Sequence, residues 1–363
     1  MAFIVRLGEK AMRLVRAFMN YIKGKRTRAM WSKAIKKYNG PSVLSASQKQ
    51  EVKKLYGKYT RVSFVFHEFY TQKTGVFNKY YIPDDIHFQT IDRYFNNWSA
   101  ASFLDNKCYY DEWYFKGIGM PQTIVKRING MWSVKEEGSI RFISKEEAYE
   151  RISAQDCFAK QALASCGGSG VRKICKGTPT EEVAKVINSL KSDIVVQEAV
   201  EQSSEMSKLN PTSTNTVRVL SFLDSDGTVK VYSSIVRMGI KGAIVDNASS
   251  GGITCGIGSD GRLKSVAYMG SGKKFDEHPS TGLKFSEVVI PNYSKLIELV
   301  KERHKSFPHF RLVSWDFAID KNDEPLIIEV NLCYGGLKIH QLNNGPLFGE
   351  DTEKILNEVF GKK

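Results

Sequence analysis

The sequence predicts an α+β protein built from antiparallel sheets with helices packed against them. Two pairs of strand-like runs, 217–223 with 229–236 and 252–257 with 263–268, each flank an Asp-Gly dipeptide, which favours a hairpin turn. A longer helical pattern follows at 292–306. Strand pairs joined by short turns, with helices beside them, indicate antiparallel sheets.

The segments before these hairpins are assigned from local signals. The apolar, aromatic run 62–70 predicts a strand, and aromatic-rich patterns at 91–104 and 109–115 predict helices. Ser144, with Glu147 three residues later, predicts a capping box and the start of a helix after two short strands.

Composition and charge separate the chain into different parts. Of the 363 residues, 42% are hydrophobic and 25% charged, which excludes collagen-like, disordered and multispanning classes. The formal net charge is +14, and sixteen basic but only two acidic residues lie within 1–61, so the remainder is neutral. We predict a basic N-terminal segment (1–61), a substrate region (62–125) and a main domain (126–363) with lobes 126–198 and 199–363.

The N-terminal segment predicts an amphipathic, cationic helix. Apolar residues recur at helical spacing, and Arg6, Lys10 and Arg13 share another face. No apolar run is long enough to span a bilayer, so residues 1–37 are expected to lie on an anionic membrane surface. A helix packed on the body with a solvated basic face is the alternative. A nucleic-acid partner is not expected, because no zinc-finger spacing or aromatic RNA-binding signature accompanies the charge.

The six cysteines form no CxxC pair and have no nearby histidine at metal-ligand spacing. They are therefore interpreted as reduced thiols. Together with the basic segment, this predicts a cytoplasmic protein that is peripheral on the inner face of the cytoplasmic membrane.

The most informative stretch is 314–331, two apolar strands around a polar turn. A tight turn at Asn322 and Asp323 places Asp316 opposite Glu329, and strand alternation puts Asn331 on the face of Glu329. Carboxylate and amide oxygens are the ligands that Mg²⁺ prefers, so these three residues are candidate metal ligands. A solvated strand face is the alternative.

Two upstream features carry weaker signals. Lys160 lies on a strand before a glycine-rich loop, 165–170, whose backbone N–H groups suit phosphate oxygens, although such a loop is more often only a turn. The buried strand 193–200 ends in polar residues, and Glu205 follows seven residues after Glu198. Its backbone could contact an adenine edge, with a carboxylate beyond it for ribose.

In this order, these features resemble the ATP-grasp superfamily, and the spacing of Asp316, Glu329 and Asn331 resembles that of D-alanine:D-alanine ligases. The segments 210–219 and 245–252, with the Trp315-Asp316 pair, resemble the sugar-transfer-associated ATP-grasp group of bacterial surface-polysaccharide clusters. The resemblance covers about residues 105–345. It implies two α+β lobes whose antiparallel sheets hold ATP between them.

The resemblance also implies roles for individual residues. Lys160 would hold the α- and β-phosphates, and Glu205 the ribose. Gly167, Gly168, Ser169 and Gly170 would form the flap over the phosphates. Gln197, Glu198 and Val200 would frame the adenine. Asp316, Glu329 and Asn331 would bind Mg²⁺.

Two positions depart from the family pattern. Gln161 stands where many relatives have proline, and Ser314 stands where D-alanine:D-alanine ligases keep an arginine. An acyl-phosphate needs fixed positive charge nearby. Arg237 and Arg218 are the expected substitutes for the missing arginine, because the 217–236 hairpin brings both to its open end. Arg237 is the preferred candidate of the two.

The resemblance implies an ATP- and Mg²⁺-dependent carboxylate–amine ligase that acts through an acyl-phosphate in capsule or O-antigen synthesis. Its substrates would be a sugar acid, free or lipid-linked, and an amino acid or other amine. Asp246, Asn247 and Ser249 are candidate substrate contacts, with plain turn chemistry as the alternative. A kinase using the same pocket, or a catalytically silent ATP-binding scaffold at the membrane, are the alternative functions.

Deleting residues 1–37 should release the protein from anionic vesicles, because each cation near such a surface contributes on the order of 1 kcal/mol. ATP hydrolysis should be retained. Co-sedimentation with anionic and neutral vesicles measures the first effect, and persistent binding of the deletion variant to anionic vesicles would refute the membrane role.

Overall fold

The structure, a computed structural model, describes residues 26–115, 119–163, 170–191, 193–240 and 251–361. The chain forms two compact units. One comprises the chain up to Tyr94 together with the stretch from Gly345, and the other is Phe95–Asn344. The domain boundaries at 61/62 and 125/126 stay predictions.

The described part of the first unit is helical. Ser45 begins its second helix with a capping box to Gln48. Tyr70 donates a 2.8 Å hydrogen bond to Asp84, which satisfies both groups in an aromatic interior. The helices are α1 (residues 26–36), α2 (Ala46–Tyr56), α3 (Val65–Thr74), α4 (Asp84–Ile86), α5 (Asp92–Phe95, whose last residue opens the second unit) and α12 (Thr352–Phe360).

The prediction of a strand over 62–70 is wrong, because most of this run forms α3. Residues 66–70 are all buried, including His67 and Glu68, so the run is buried around the whole helix and shows no one-sided pattern that would distinguish a helix from a strand. Gly75, at φ 81°, ends the helix in a left-handed conformation. The predicted helical character of 91–104 and 109–115 is confirmed, partly as 3₁₀- and π-helix.

The second unit contains a six-stranded antiparallel sheet with strand order β3-β2-β1-β6-β4-β5. Helices α7 (Lys145–Ser153) and α8 (Thr180–Asn188) pack on one face around an apolar cluster. Ser144 caps α7 as predicted, but the Glu147 carboxylate pairs with Arg141 and Arg151. The strands are β1 (Thr123–Ile128), β2 (Met131–Glu136), β3 (Ser139–Ile143), β4 (Cys157–Gln161), β5 (Val171–Ile174) and β6 (Ile194–Glu198).

A seven-stranded antiparallel sheet, in the order β11-β10-β9-β8-β7-β12-β13, forms the rest of this unit. It includes both predicted Asp-Gly hairpins, and the predicted helix 292–306 is α10. The strands are β7 (Thr216–Leu223), β8 (Val229–Met238), β9 (Ile253–Ile257), β10 (Leu263–Met269), β11 (Lys274–Phe275), β12 (Leu312–Ile319) and β13 (Pro325–Asn331), and the helices are α6 (Trp98–Leu104), α9 (Ser204–Leu209), α10 (Tyr293–His304) and α11 (Leu337–Asn344). The α+β class with two antiparallel sheets is confirmed.

A chain of buried polar groups connects α10 to the centre of the second sheet. Trp315 Nε1 donates to Ser221 Oγ at 2.8 Å, and Ser221 Oγ lies 2.7 Å from His304 Nδ1. His304 Nε2 lies 2.9 Å from the carbonyl oxygen of Phe310. A carbonyl only accepts, so Nε2 carries the proton and Nδ1 accepts from Ser221. Burial lowers the pKa of His304 to about 4, in keeping with a neutral ring.

No helix in the described parts of the chain is long and apolar enough to cross a membrane.

Replacing Ser221 by alanine should lower the free energy of unfolding by about 1–3 kcal/mol, because the Trp315 indole and His304 Nδ1 both lose a buried partner. Urea denaturation followed by tryptophan fluorescence measures the change. The exposed strand residue Ser265 provides the matched control, and Ser265→Ala should shift stability by less than about 0.5 kcal/mol. Equal effects of the two substitutions would contradict the role of the network.

Candidate active site

The hairpin of β12 and β13 brings the three predicted metal ligands together. Asp316 lies opposite Glu329, as the sequence predicted, and Ser314 lies opposite Asn331. Val330, between the two β13 ligands, lies in the apolar core. Asp316, Glu329 and Asn331 therefore share the other face of the sheet.

A β-bulge beside Asp316 determines the direction of Glu329. Phe317 pairs with Ile327 while Asp316 pairs with Glu329, so Ile328 has no partner of its own. In a regular strand, Ile327 and Glu329 would lie on one face. The bulge allows Ile327 to stay fully buried in the core while the Glu329 side chain remains 29% exposed on the face of Asp316.

Two arginines hold the Asp316 carboxylate. Arg218, directly opposite on β7, donates from Nε to Oδ1 at 2.6 Å and from Nη2 to Oδ2 at 2.5 Å. Arg237 on β8 donates from Nη1 to Oδ2 at 2.9 Å. The four adjacent strands β13, β12, β7 and β8 thus each supply one charged group. Both arginines, predicted for this site from the open end of their hairpin, do lie there.

The arginines decide the ionisation of Asp316, which is only 2% exposed. Burial alone would raise the pKa of Asp316, but the charges and hydrogen bonds of Arg218 and Arg237 outweigh it and lower the pKa to about 2. The carboxylate is therefore ionised at neutral pH. A contact from Asn331 Nδ2 at 3.4 Å leaves the amide oxygen of Asn331 to bind a cation.

Glu329 forms an ion pair that sequence reasoning missed. Lys107 Nζ lies 2.8 Å from Glu329 Oε1. Lys107 belongs to a short 3₁₀-helix capped by Asn106, and its backbone N–H donates to the carbonyl oxygen of Ala162 beside β4. Only tertiary contact brings this lysine to the site, because nothing in its local pattern distinguishes it from a surface lysine.

Asp105 adds a further acidic group near Lys107 and Glu329. Its Oδ1 is buried without a hydrogen-bond partner. Burial, with a smaller contribution from Glu329, raises the pKa of Asp105 to about 7, although Lys107 opposes this shift. This residue was also missed from the sequence.

Lys160 reaches the same region from the six-stranded sheet. Its Nζ donates to Gln197 Oε1 at 2.8 Å, and it lies on the face of the sheet opposite α7 and α8. Burial, together with the charge of Lys107, lowers the pKa of Lys160 to about 8, while Glu329 partly offsets this. The lysine is still mostly charged at neutral pH.

The predicted adenine frame comprises the last two residues of β6, Gln197 and Glu198, and Val200 just beyond it. Gln197 Nε2 donates to the carbonyl oxygen of Pro121 at 3.3 Å, and Glu198 accepts from the backbone of Gln122 at 3.0 Å. Both side chains are thus held by the protein, and the backbone N–H groups of Glu198 and Ala199 also donate within it, to the carbonyl oxygens of Gln122 and Asp156. The role of the adenine frame stays a prediction.

The other predicted site residues lie partly within and partly outside the residues that the structure describes. Glu205 lies in the first turn of α9, paired with Lys208, and the carbonyl of Gly170 accepts from the Gln161 N–H at 2.8 Å, closing the hairpin of β4 and β5. The other flap residues and the substrate candidates lie outside the described residues: Gly167, Gly168, Ser169, Asp246, Asn247 and Ser249.

The donor set suits Mg²⁺ arriving with an anion. Four cations, Arg218, Arg237, Lys107 and Lys160, face the carboxylates of Asp316 and Glu329 and the partly ionised Asp105, so the described part of this cluster carries more positive than negative charge. No group of three or more His, Cys, Asp or Glu within the described ranges could hold a metal alone. Two carboxylates and an amide oxygen, completed by oxygens of a bound phosphate, match the preference of Mg²⁺. The residues therefore fit the ion.

Two antiparallel sheets with a lysine of one facing the acidic hairpin of the other define an ATP-grasp protein. The family described as sugar-transfer associated ATP-grasp matches residues 89–357, which is most of the chain. The chain belongs to this family. A comparison with curated protein sequences gives no match.

The chain also has distant similarity to solved structures. D-alanyl-alanine synthetase A from Vibrio cholerae is 14% identical over 72% of this chain and 66% of that chain, with a TM-score of 0.39. Biotin carboxylase from Campylobacter jejuni is 13% identical over 76% of this chain and 48% of that chain, with a TM-score of 0.40. N5-carboxyaminoimidazole synthetase from Staphylococcus aureus, complexed with ADP, is 12% identical over 68% of this chain and 48% of that chain, with a TM-score of 0.36. The chain spans less than half the length of the last two.

Asp316→Asn should lower the free energy of unfolding by about 3–5 kcal/mol, because it leaves two closely spaced arginines without their buried counter-charge. Urea denaturation at neutral pH measures the loss. Asp323→Asn, in the exposed turn of the same hairpin at φ 63°, is the matched control and should be nearly neutral, since asparagine tolerates this conformation. If Asp316→Asn were as stable as Asp323→Asn, the ion pairs of Asp316 would make no net contribution to the free energy of unfolding.

Proposed function

We propose that this protein is an ATP- and Mg²⁺-dependent carboxylate–amine ligase that acts through an acyl-phosphate. The observation that carries the proposal is the arrangement around Asp316. Two arginines on adjacent strands and two lysines from the other side of the site surround a pair of carboxylates, which suits a polyphosphate with its metal ion.

Lys160 and Lys107 are the phosphate-binding groups in this proposal. Each is largely buried, so its attraction for an anion is screened less than at a surface. Lys160 would hold the α- and β-phosphates, as the family resemblance implies. Lys107 would exchange part of its contact with Glu329 for the same phosphates, because both anions compete for one ammonium group.

Asp316, Glu329 and Asn331 would hold Mg²⁺, which when bound neutralises phosphate charge and withdraws electrons from the transferring group. The protein supplies the rest by position and charge. Asp316 stays ionised because of its arginines, and Glu329 keeps a second oxygen beyond the one that contacts Lys107.

The first step joins the substrate carboxylate to the γ-phosphorus. A carboxylate oxygen attacks, the bond from that phosphorus to the β–γ bridging oxygen breaks, and ADP leaves. As the hairpin position of the two arginines led us to expect, we assign Arg237 the main contact with the transferring phosphoryl group, and we assign Arg218, which donates twice to Asp316, the support of that carboxylate.

The second step forms the amide. A neutral amine attacks the carbonyl carbon of the acyl-phosphate, the carbon–oxygen bond to phosphate breaks, and the amine nitrogen loses a proton. Positive charge from the arginines would stabilise the oxyanion of the intermediate and the departing phosphate. Holding the two reactants together supplies a further large part of the rate.

The base and ribose are assigned to the exit of β6. The backbone near Glu198 and Val200 would contact adenine, Gln197 would position Lys160, and Glu205 on α9 would bind ribose hydroxyls. Gly170 and the loop before it would cover the phosphates.

The family is described as sugar-transfer associated, which supports a sugar-containing substrate. We therefore propose a sugar acid as the carboxylate substrate and an amino acid or another amine as its partner, in the assembly of a surface polysaccharide. A lipid-linked acceptor would agree with attachment of the basic N-terminal segment to the inner face of the cytoplasmic membrane. Asp246, Asn247 and Ser249 are assigned to substrate contacts.

A screen that crosses uronic acids with amino acids should reveal one pair that releases ADP and phosphate only when both are present. Glu329→Gln should lower that rate at least about a hundredfold, as expected for losing a group that stabilises charge in the transition state. Lys107→Met should raise the KM for ATP, since it removes a phosphate contact.

Lys135→Met, an exposed lysine on β2, is the matched control and should leave both constants unchanged. Unchanged phosphate release in Glu329→Gln would refute the proposed site. A stable phosphorylated acid formed without any amine would replace the ligase with a kinase.

A further inference from the structure

Tyr334 occupies a backbone conformation that an aromatic residue rarely adopts. It lies three residues beyond Asn331, at φ 56°, and its side chain is 53% exposed. The left-handed region costs a residue with a Cβ atom roughly 1–2 kcal/mol. Burial of the ring does not offset this, because more than half of the side chain remains in solvent. Such strain persists where the side chain itself is needed.

The two residues that follow are glycines for reasons of space. A Cβ atom at Gly335 would lie 3.2 Å from Cβ of Ser314, and one at Gly336, at φ 88°, would lie 3.3 Å from Nη1 of Arg218. The turn after β13 therefore runs directly beside the arginine that holds Asp316. At most about 7 Å of extended chain separates Tyr334 from that contact.

Tyr334 is paired with a second aromatic residue. Its ring centroid lies 4.6 Å from that of Trp98, the first residue of α6, and the ring planes meet at 57°. Trp98 is itself only partly buried. A tilted pair of this kind, with one ring largely exposed, presents an aromatic surface next to the reaction centre.

The protein holds this pair in place through Leu332. Asn96, two residues before Trp98, donates to the carbonyl oxygens of Leu332 at 3.0 Å and Leu312 at 2.8 Å. Asp105, directly after α6, accepts a hydrogen bond from the backbone N–H of Leu332. Residues at both ends of α6 thus bind the backbone two residues before Tyr334, so the two rings are positioned before any ligand arrives.

We propose that Tyr334 and Trp98 form a stacking platform for a pyranose ring of the carboxylate substrate. The C–H groups of a pyranose ring carry partial positive charge on an otherwise apolar face, which complements the negative face of an aromatic ring. The proposal requires that a ring seated there direct its carboxyl substituent toward Arg218, beside which the turn at Gly336 runs. The inference rests on the proposed function, since it names the substrate class of the same site, and it assigns a saccharide to the chemistry of this chain's own residues.

The test compares sugar acids whose ring is locked with an open-chain sugar acid. The full-length protein is titrated with the methyl glycosides of glucuronic, galacturonic and mannuronic acid, whose rings cannot open, and with gluconate, an open-chain hydroxy acid. Binding is measured by calorimetry and by saturation-transfer NMR, each with and without a non-hydrolysable ATP analogue and Mg²⁺. At least one locked ring should bind about tenfold more tightly than gluconate, with saturation concentrated on its C–H protons.

Variants separate stacking from folding. Tyr334→Gly removes the ring and relieves the backbone, so it should raise Tm while weakening the favoured glycoside about tenfold. Tyr334→Phe keeps the ring and should bind within about twofold of the original protein, whereas Trp98→Leu should weaken binding as Tyr334→Gly does. Affinity for the ATP analogue should stay unchanged in all three.

The idea fails if gluconate binds as well as every locked ring, or if Tyr334→Gly binds the favoured glycoside as tightly as the unaltered protein. Failure of the protein to bind the ATP analogue would instead count against the proposed ligase activity, because the glycoside titrations without nucleotide still report on the platform.

Discussion

The buried carboxylate of Asp316, held between Arg218 and Arg237, is the interaction on which the rest of the site depends. A charge this far from water is costly unless it is paired and hydrogen-bonded, and here three donors satisfy it. The pairing works only if β12, β7 and β8 are neighbours in a fixed register, which the antiparallel sheet provides. The same sheet then places Glu329 and Asn331 one strand further on, so the fold and the site use one set of strand pairs.

The second constraint is the balance of charge across the two sheets. Lys160 and Lys107 approach the acidic hairpin from the six-stranded sheet and the segment packed on it, so the described part of the cluster has four cations against two carboxylates and the partly ionised Asp105. A metal ion alone would add to that excess, whereas a metal ion with a polyphosphate would remove it. Binding of the two is therefore expected to be coupled, each improving the affinity for the other.

Much of the fold and of the candidate site could be predicted from local patterns in the sequence. The Asp-Gly hairpins, the pairing of Asp316 with Glu329 and the place of Arg218 and Arg237 at one end of a hairpin all follow from period-two alternation and short turns, which act over a few residues. The run 62–70 shows where such reasoning ends, because a segment buried on every side has no periodicity from which to choose between helix and strand.

The sequence by itself therefore determined the class of fold, the β12–β13 hairpin with its three candidate metal ligands, and the division of charge between a cationic N-terminal segment and a neutral remainder. Tertiary structure alone decided the bulge at Ile328, the pairing of Lys107 with Glu329 and the contact of Tyr334 with Trp98. The reason is physical: strand alternation and turn chemistry are set by neighbours in the chain, whereas an ion pair or ring contact between residues more than two hundred positions apart exists only once the core has brought their backbones together.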